Sequence, residues 1–108
     1  MYQIKFTSLA EKDLNSSYDY IYEVLKNPHA AENLVLETEH TLSKISDMPY
    51  SCSMVSDPYL KKLGIRFLPI QNYVAFFIIE EDFKEIIVLR FLYGKREWTS
   101  LLKEKSES

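Results

Sequence analysis

Hydrophobic and polar positions change period along this chain, and each change marks an element. Tyr2, Ile4 and Phe6 alternate with Gln3 and Lys5, the period-two pattern of a half-buried strand. From Ser8 the period lengthens. Leu14, Tyr18, Ile21, Tyr22 and Leu25 recur at helical spacing, with Asp13, Asp19 and Glu23 on the other side. Ser8 and Glu11 stand at capping-box spacing, so the helix is expected to start with the Ser8 hydroxyl on a free backbone N–H. It stops at Asn27-Pro28, where Asn27 can cap and Pro28 can open a second helix. Ala31, Leu34, Thr38, Leu42 and Ile45 carry the inner face of that helix to about Asp47, and Met48-Pro49 ends it. Two helices joined by so tight a turn form an antiparallel hairpin.

Residues 50–63 show no clear period and read as a loop with a short helical turn at Tyr59–Leu63. Three strands follow at Ile65–Leu68, Tyr73–Glu80 and Glu85–Leu92, rich in Val, Ile, Phe and Tyr. Pro69–Asn72 and Glu81–Lys84 are short enough to be hairpin connections. A last helix is expected over Arg96–Lys105, with Trp98, Leu101 and Leu102 on one side and a frayed end at 106–108. The order β-α-α-β-β-β-α predicts one α+β domain over residues 1–108. Its helical hairpin packs on one face of a mainly antiparallel four-stranded sheet, and the other face is left open for binding.

Composition adds bounds rather than a function. With 108 residues, 46% hydrophobic and 27% charged, the chain can bury a core without staples. The two glycines, Gly64 and Gly94, are expected at turns. One cysteine, Cys52, excludes an internal disulfide framework and fits a reducing compartment. That cysteine and the separated His29 and His40 do not make a ligand cluster, so neither metal nor cofactor is expected. The first 14 residues mix in charge too early for a secretory signal, and the longest apolar run, Tyr73–Ile79, is far below the ~20 residues of a membrane helix. A cytoplasmic protein is expected.

Charge is uneven. Residues 1–59 hold four Lys/Arg and nine Asp/Glu, whereas residues 60–108 hold nine and seven, within a net charge of −3. The helical half is acidic and the sheet half slightly basic. A pI near 5.4 argues against autonomous nucleic-acid binding, which requires a clear basic surface.

The densest chemistry lies at Ile86–Trp98, where an apolar strand runs into Gly94, Lys95, Arg96 and Trp98. A rigid strand end here presents two cations and an aromatic ring. Arg90 interrupts that strand, so it must be exposed or paired, with Glu80 or Glu85 the nearest acids in sequence. Glu80-Glu81-Asp82 reads as a solvated turn, the Tyr18/Tyr20/Tyr22 cluster as core and helix packing, and Trp98 as packing for the last helix.

Several segments stand together in register over some ninety residues. They are Phe6-Thr7-Ser8 before Ala10–Leu14, Tyr18–Ile21, Ala30-Ala31-Glu32, Met48-Pro49, Ile65-Arg66 before Asn72-Tyr73, and the terminal Arg90-Phe-Leu-Tyr-Gly-Lys-Arg-Glu-Trp98. In this the chain resembles the RelE/ParE toxins of bacterial type II toxin–antitoxin (plasmid stabilisation) systems. The resemblance implies a growth-arresting toxin neutralised by a cognate antitoxin, acting either as a DNA gyrase inhibitor or as a ribosome-dependent mRNA endonuclease. A non-toxic binding domain of the same fold is a further alternative.

RNA cleavage needs a base, an acid and cations for the phosphorane. The ribonuclease branch places a late Tyr where this chain has Leu102, and an Arg after the central-strand Tyr where it has Val74. Arg66 and Arg96 match its cation positions, and Tyr93 is a possible substitute for the tyrosine. These three are the catalytic candidates if the chain cuts RNA. A gyrase inhibitor needs only a shaped surface, for which Trp and Arg are the usual anchors. The ParE-like reading is therefore preferred. Partner-binding candidates are Arg66, Arg90, Lys95, Arg96, Trp98, Leu101 and Leu102.

Overall fold

A computed structural model describes residues 1–107 and gives four strands and four helices in the order β1 Gln3–Phe6, α1 Ser8–Asp19, α2 Pro28–Ile45, α3 Pro58–Lys62, β2 Arg66–Ile70, β3 Tyr73–Glu80, β4 Glu85–Tyr93 and α4 Trp98–Glu107. The sheet order is β1-β4-β3-β2. β2, β3 and β4 form an antiparallel meander, and β1 returns to pair parallel with β4, Gln3 opposite Glu85 through Phe6 opposite Val88. Between these parallel partners the chain runs through the α1–α2 hairpin, α3, β2 and β3, more than the crossover length a parallel pair requires.

Local chemistry explains most boundaries. The cap of α1 is Thr7, one residue before the expected Ser8: its Oγ1 accepts the Ala10 N–H at 3.0 Å. The same hydroxyl donates to the Leu89 carbonyl at 3.0 Å, so Thr7 also fastens the helix start to β4. Asn27 caps α2 through the Ala30 N–H at 3.1 Å, with Pro28 in the first turn, as expected. The five positions read as the inner face of α2, Ala31, Leu34, Thr38, Leu42 and Ile45, are its five buried residues. Thr38 tolerates burial because its hydroxyl donates to the Leu34 carbonyl at 2.7 Å.

Four details differ from the sequence reading. β2 runs on through Pro69 and Ile70 instead of stopping at Leu68, because an edge strand needs no outward N–H from a proline. The connection is then only Gln71-Asn72, with Gln71 in the left-handed region. β4 carries a bulge: Phe76 pairs with Arg90 and Phe77 with Val88, which leaves Leu89 unpaired. α4 begins at Trp98, two residues late, and continues through Ser106 and Glu107; Ser108, expected in the frayed end, lies outside the described residues.

The fourth difference concerns the sheet faces, both of which are covered. On one face α1 and α2 enclose Leu34, Leu42, Ala75, Phe77, Ile86 and Val88. On the other, the face expected to be open, the segment around Val55, α3 and α4 close over Phe76 and Leu92 with Leu60, Ile65 and Leu102. The short α3 and the polar loop before it carry too few apolar residues for a periodic signal, yet they supply Val55 and Leu60, which are nearly solvent-free. No described helix is long and apolar enough to cross a membrane.

Candidate functional site

The turn after β4 is fixed by Gly94. Its N–H donates to the Asn72 carbonyl at 2.8 Å, and a Cβ there would stand 3.2 Å from that same oxygen. The close approach calls for glycine. It pins the Lys95-Arg96 turn against the β2–β3 connection. Arg96 closes the turn by donating its backbone N–H to the Tyr93 carbonyl at 3.0 Å, and both cations are exposed.

Below this turn lies a groove of about 790 Å³ between the end of α1 and the end of the sheet. Its floor is aromatic: Tyr73 stacks on Phe91 at 5.1 Å and meets Tyr93 edge-on at 5.6 Å. Arg96, Tyr20 and Leu25 also line it. The helix wall is held by Asp13. Its carboxylate accepts from Arg90 Nε at 2.7 Å, from Arg90 NH2 at 3.0 Å and from the Phe91 backbone N–H at 3.0 Å. β1 pairs with β4 only as far as Val88, so the Phe91 N–H lies beyond its reach and Asp13 completes the edge.

The partner of Arg90 is therefore Asp13 on α1, not Glu80 or Glu85; Glu85 instead pairs with Lys5 at 3.1 Å. Asp13 accordingly faces the sheet, not the polar side of α1. The side chains of Arg90 and Asp13 are only 11% and 14% exposed, so Arg90 is committed to holding α1 on the sheet.

Other candidate residues are dispersed. Arg66 pairs with Phe77 four positions along β3 from Tyr73, roughly 13 Å at the rise of a strand. There its guanidinium donates to the Cys52 carbonyl at 2.6 Å and stands 5.1 Å from the centre of the Tyr50 ring. The structure brings Tyr93 and Arg96 into one groove and leaves Arg66 at the far end of the sheet. Leu102 is buried in the second core and offers a partner no surface while α4 is docked; Leu101 is half-buried beside it. Trp98 packs on Phe76 with ring centres 5.0 Å apart, as expected for a packing residue.

Val74, Trp98 and Leu102 share the α4 side of the sheet, where Trp98 and Val74 line a slot of about 390 Å³ together with Met54, Val55, Phe67 and Phe76. Among the described residues the only polar side chains lining it are Ser53 and Ser56. Among the described lining residues there is neither a carboxylate, a histidine nor a cation. His40 is exposed on α2 and lines neither groove.

A second polar cluster was not legible as such. Glu81, expected to be solvated, accepts from the Tyr2 hydroxyl at 2.7 Å, from the Tyr50 hydroxyl at 2.8 Å and from Lys84. Lys84 and the two phenols hold its carboxyl down at about 2, and in turn the Glu81 carboxylate raises both phenols. Cys52 has its thiol pushed up by burial, which makes it a poor nucleophile.

The arrangement has known counterparts. No curated protein is significantly similar to the chain in sequence. Among solved structures, the chromosomal ParDE toxin–antitoxin system from P. aeruginosa superposes with a TM-score of 0.69 at 24% identity, covering 88% of this chain and 98% of the other. The RelBE2 toxin–antitoxin complex from Mycobacterium tuberculosis gives 0.60 at 17% identity, covering 85% and 96%. The isolated E. coli RelE toxin gives 0.56 at 13% identity, covering 96% and 98%. These likenesses establish the shared α+β fold. The family model for the ParE toxin of the parDE type II toxin–antitoxin system matches residues 4–98, from β1 to the first residue of α4, and the chain thus belongs to the ParE toxin family.

Proposed function

We propose that this toxin arrests growth by binding DNA gyrase as a protein ligand, and that a cognate antitoxin chain neutralises it in the cytoplasm. The observation that carries the choice of target is the apolar slot beside Trp98. Where RNA cleavage would call for cations and a proton-transfer group, the chain offers Met54, Val74, Phe76 and Trp98. The remaining pair, Tyr93 and Arg96, shares the other groove, whose one carboxylate among the described lining residues, Asp13, is engaged by Arg90. That pair is the basis of the alternative, a ribosome-dependent mRNA endonuclease.

The groove between α1 and the sheet end supports the antitoxin reading. It combines an aromatic floor with an exposed cation, which suits an extended or helical segment carrying apolar side chains and a carboxylate for Arg96. The ParDE and RelBE structures to which the fold is similar are toxin–antitoxin systems, which supports such a partner.

Pulse labelling tests the target. Just after induction in a bacterium, thymidine incorporation is expected to fall while methionine incorporation persists. If methionine incorporation falls first, the endonuclease reading replaces this one. If neither changes at good expression, the chain is a non-toxic binding domain.

A further inference from the structure

α1 does not end in an ordinary way. Its last turn, Tyr20–Val24, is a π turn in which the Leu25 N–H reaches back five residues to the Tyr20 carbonyl at 3.1 Å. Such a turn takes in more residues than an α turn, so the apolar face shifts around the helix away from the core. Leu14 and Ile21 pack on the core beneath the hairpin. Beyond that, Tyr20 is 52% exposed, Tyr22 40%, Val24 62% and Leu25 54%. Four large apolar side chains in six residues thus face solvent at the tip of the helical hairpin. The Tyr18–Tyr22 stack at 5.8 Å holds Tyr22 in place on the outside, so Tyr20 and Tyr22, read as core packing, form a surface instead, while Tyr18 is half-buried.

Scattered exposed apolar residues need no explanation, but four within six residues make a cluster of the kind found at interaction sites. Its rim is acidic. Asp19 and Glu23 lie within the same turns, and Glu32 is close enough to raise the Tyr18 phenol. Lys26 is the one cation in the stretch 19–32. Two copies of this tip would repel each other and a basic surface is attracted, while Tyr20 and Leu25 also border the groove proposed for the antitoxin.

We infer that the tip formed by Tyr20, Tyr22, Val24 and Leu25, with Asp19 and Glu23, docks on a basic surface of the target protein that carries an apolar recess, the kind of surface that otherwise contacts DNA phosphates. This rests on the reading of gyrase as target and adds which part of the toxin touches it. Carboxylates facing a phosphate-binding surface supply the charge match and steer encounter, and the apolar side chains supply the buried anchor.

The test is a supercoiling assay with purified gyrase and purified toxin, run beside co-purification of each toxin variant with gyrase. Glu23→Lys and Val24→Ser are both at exposed positions, and thermal melting confirms that each folds. Each is expected to raise the half-inhibitory toxin concentration at least about tenfold, the scale of losing one anchoring contact. The same charge change at Glu39→Lys, elsewhere on the hairpin, is expected to leave inhibition unaltered. If wild-type toxin inhibits and the folded Glu23→Lys and Val24→Ser variants inhibit equally well, the tip is not the contact and the inference is overturned while the gyrase reading stands. If wild-type toxin neither inhibits nor co-purifies with gyrase, both fall together. Conversion of a dimer to a monomer by Val24→Ser in size-exclusion chromatography, with inhibition intact, would assign the tip to self-association and overturn the inference too.

Discussion

Asp13 shows how one side chain can set the position of a whole helix. Three donors converge on its carboxylate, two from Arg90 and one from the Phe91 backbone, in a part-buried setting. Removing it leaves a guanidinium and a strand N–H without partners where water enters poorly, which costs more than the pair itself contributes. Asp13→Ala is expected to lower the unfolding free energy by about 2–4 kcal/mol, read from urea denaturation. Glu81 gives a prediction of different form. Its carboxyl lies at about 2 in the fold, below the ordinary glutamate value, so ionised Glu81 favours folding. That contribution is fully present above the unfolded pKa and is lost as pH falls toward 2. Glu81→Gln is therefore expected to flatten the stability–pH curve between about 2 and 4.5, seen as melting temperatures that converge with wild type in acid.

At the scale of elements, α4 is a lid on the second core. It is held by Leu102, by the Trp98–Phe76 contact and by the Lys103–Asp57 pair at 3.1 Å. Asp57 also caps α3, accepting from the Tyr59 and Leu60 N–H groups, so one carboxylate links both elements of this layer. Leu102→Ala is expected to destabilise the fold by about 2–5 kcal/mol, measured by chemical denaturation, and to increase hydrogen exchange across α4 and α3. A purely surface role for Leu102 would leave both unchanged. The bulge at Leu89 belongs to this scale as well, because it falls where β1 ends and Thr7 crosses to α1.

For the whole molecule, charge is divided by layer: an acidic helical hairpin on one side and a basic turn at the sheet end. The division suits a toxin that meets two partners of opposite charge. Arg96→Glu is expected to weaken the antitoxin complex at least about tenfold in a titration of purified partners, since it places like charges together in the groove. An unchanged affinity would remove Arg96 from that interface.

Period and punctuation determined the element order, the five buried positions of α2 and the full length of β3, because each rests on contacts within a few residues. The family likeness came from particular residue segments, Arg90–Trp98 above all, and the preference for a ParE-type toxin from Leu102 and Val74 at the positions where the ribonuclease branch has Tyr and Arg. Only the tertiary structure decided what lies far apart in sequence: that Arg90 pairs with Asp13, that Glu81 gathers Tyr2 and Tyr50, and that α4 with the aperiodic segment before β2 closes the face expected to be open. Leu102 and Arg66, named as partner contacts on a sheet face expected to be open, are redirected by such long-range packing. The π turn was hidden for another reason. Helical spacing is read against one fixed angle per residue, and a single wider turn moves Tyr22 and Leu25 from the expected apolar face to the surface without altering the sequence pattern that predicts a helix.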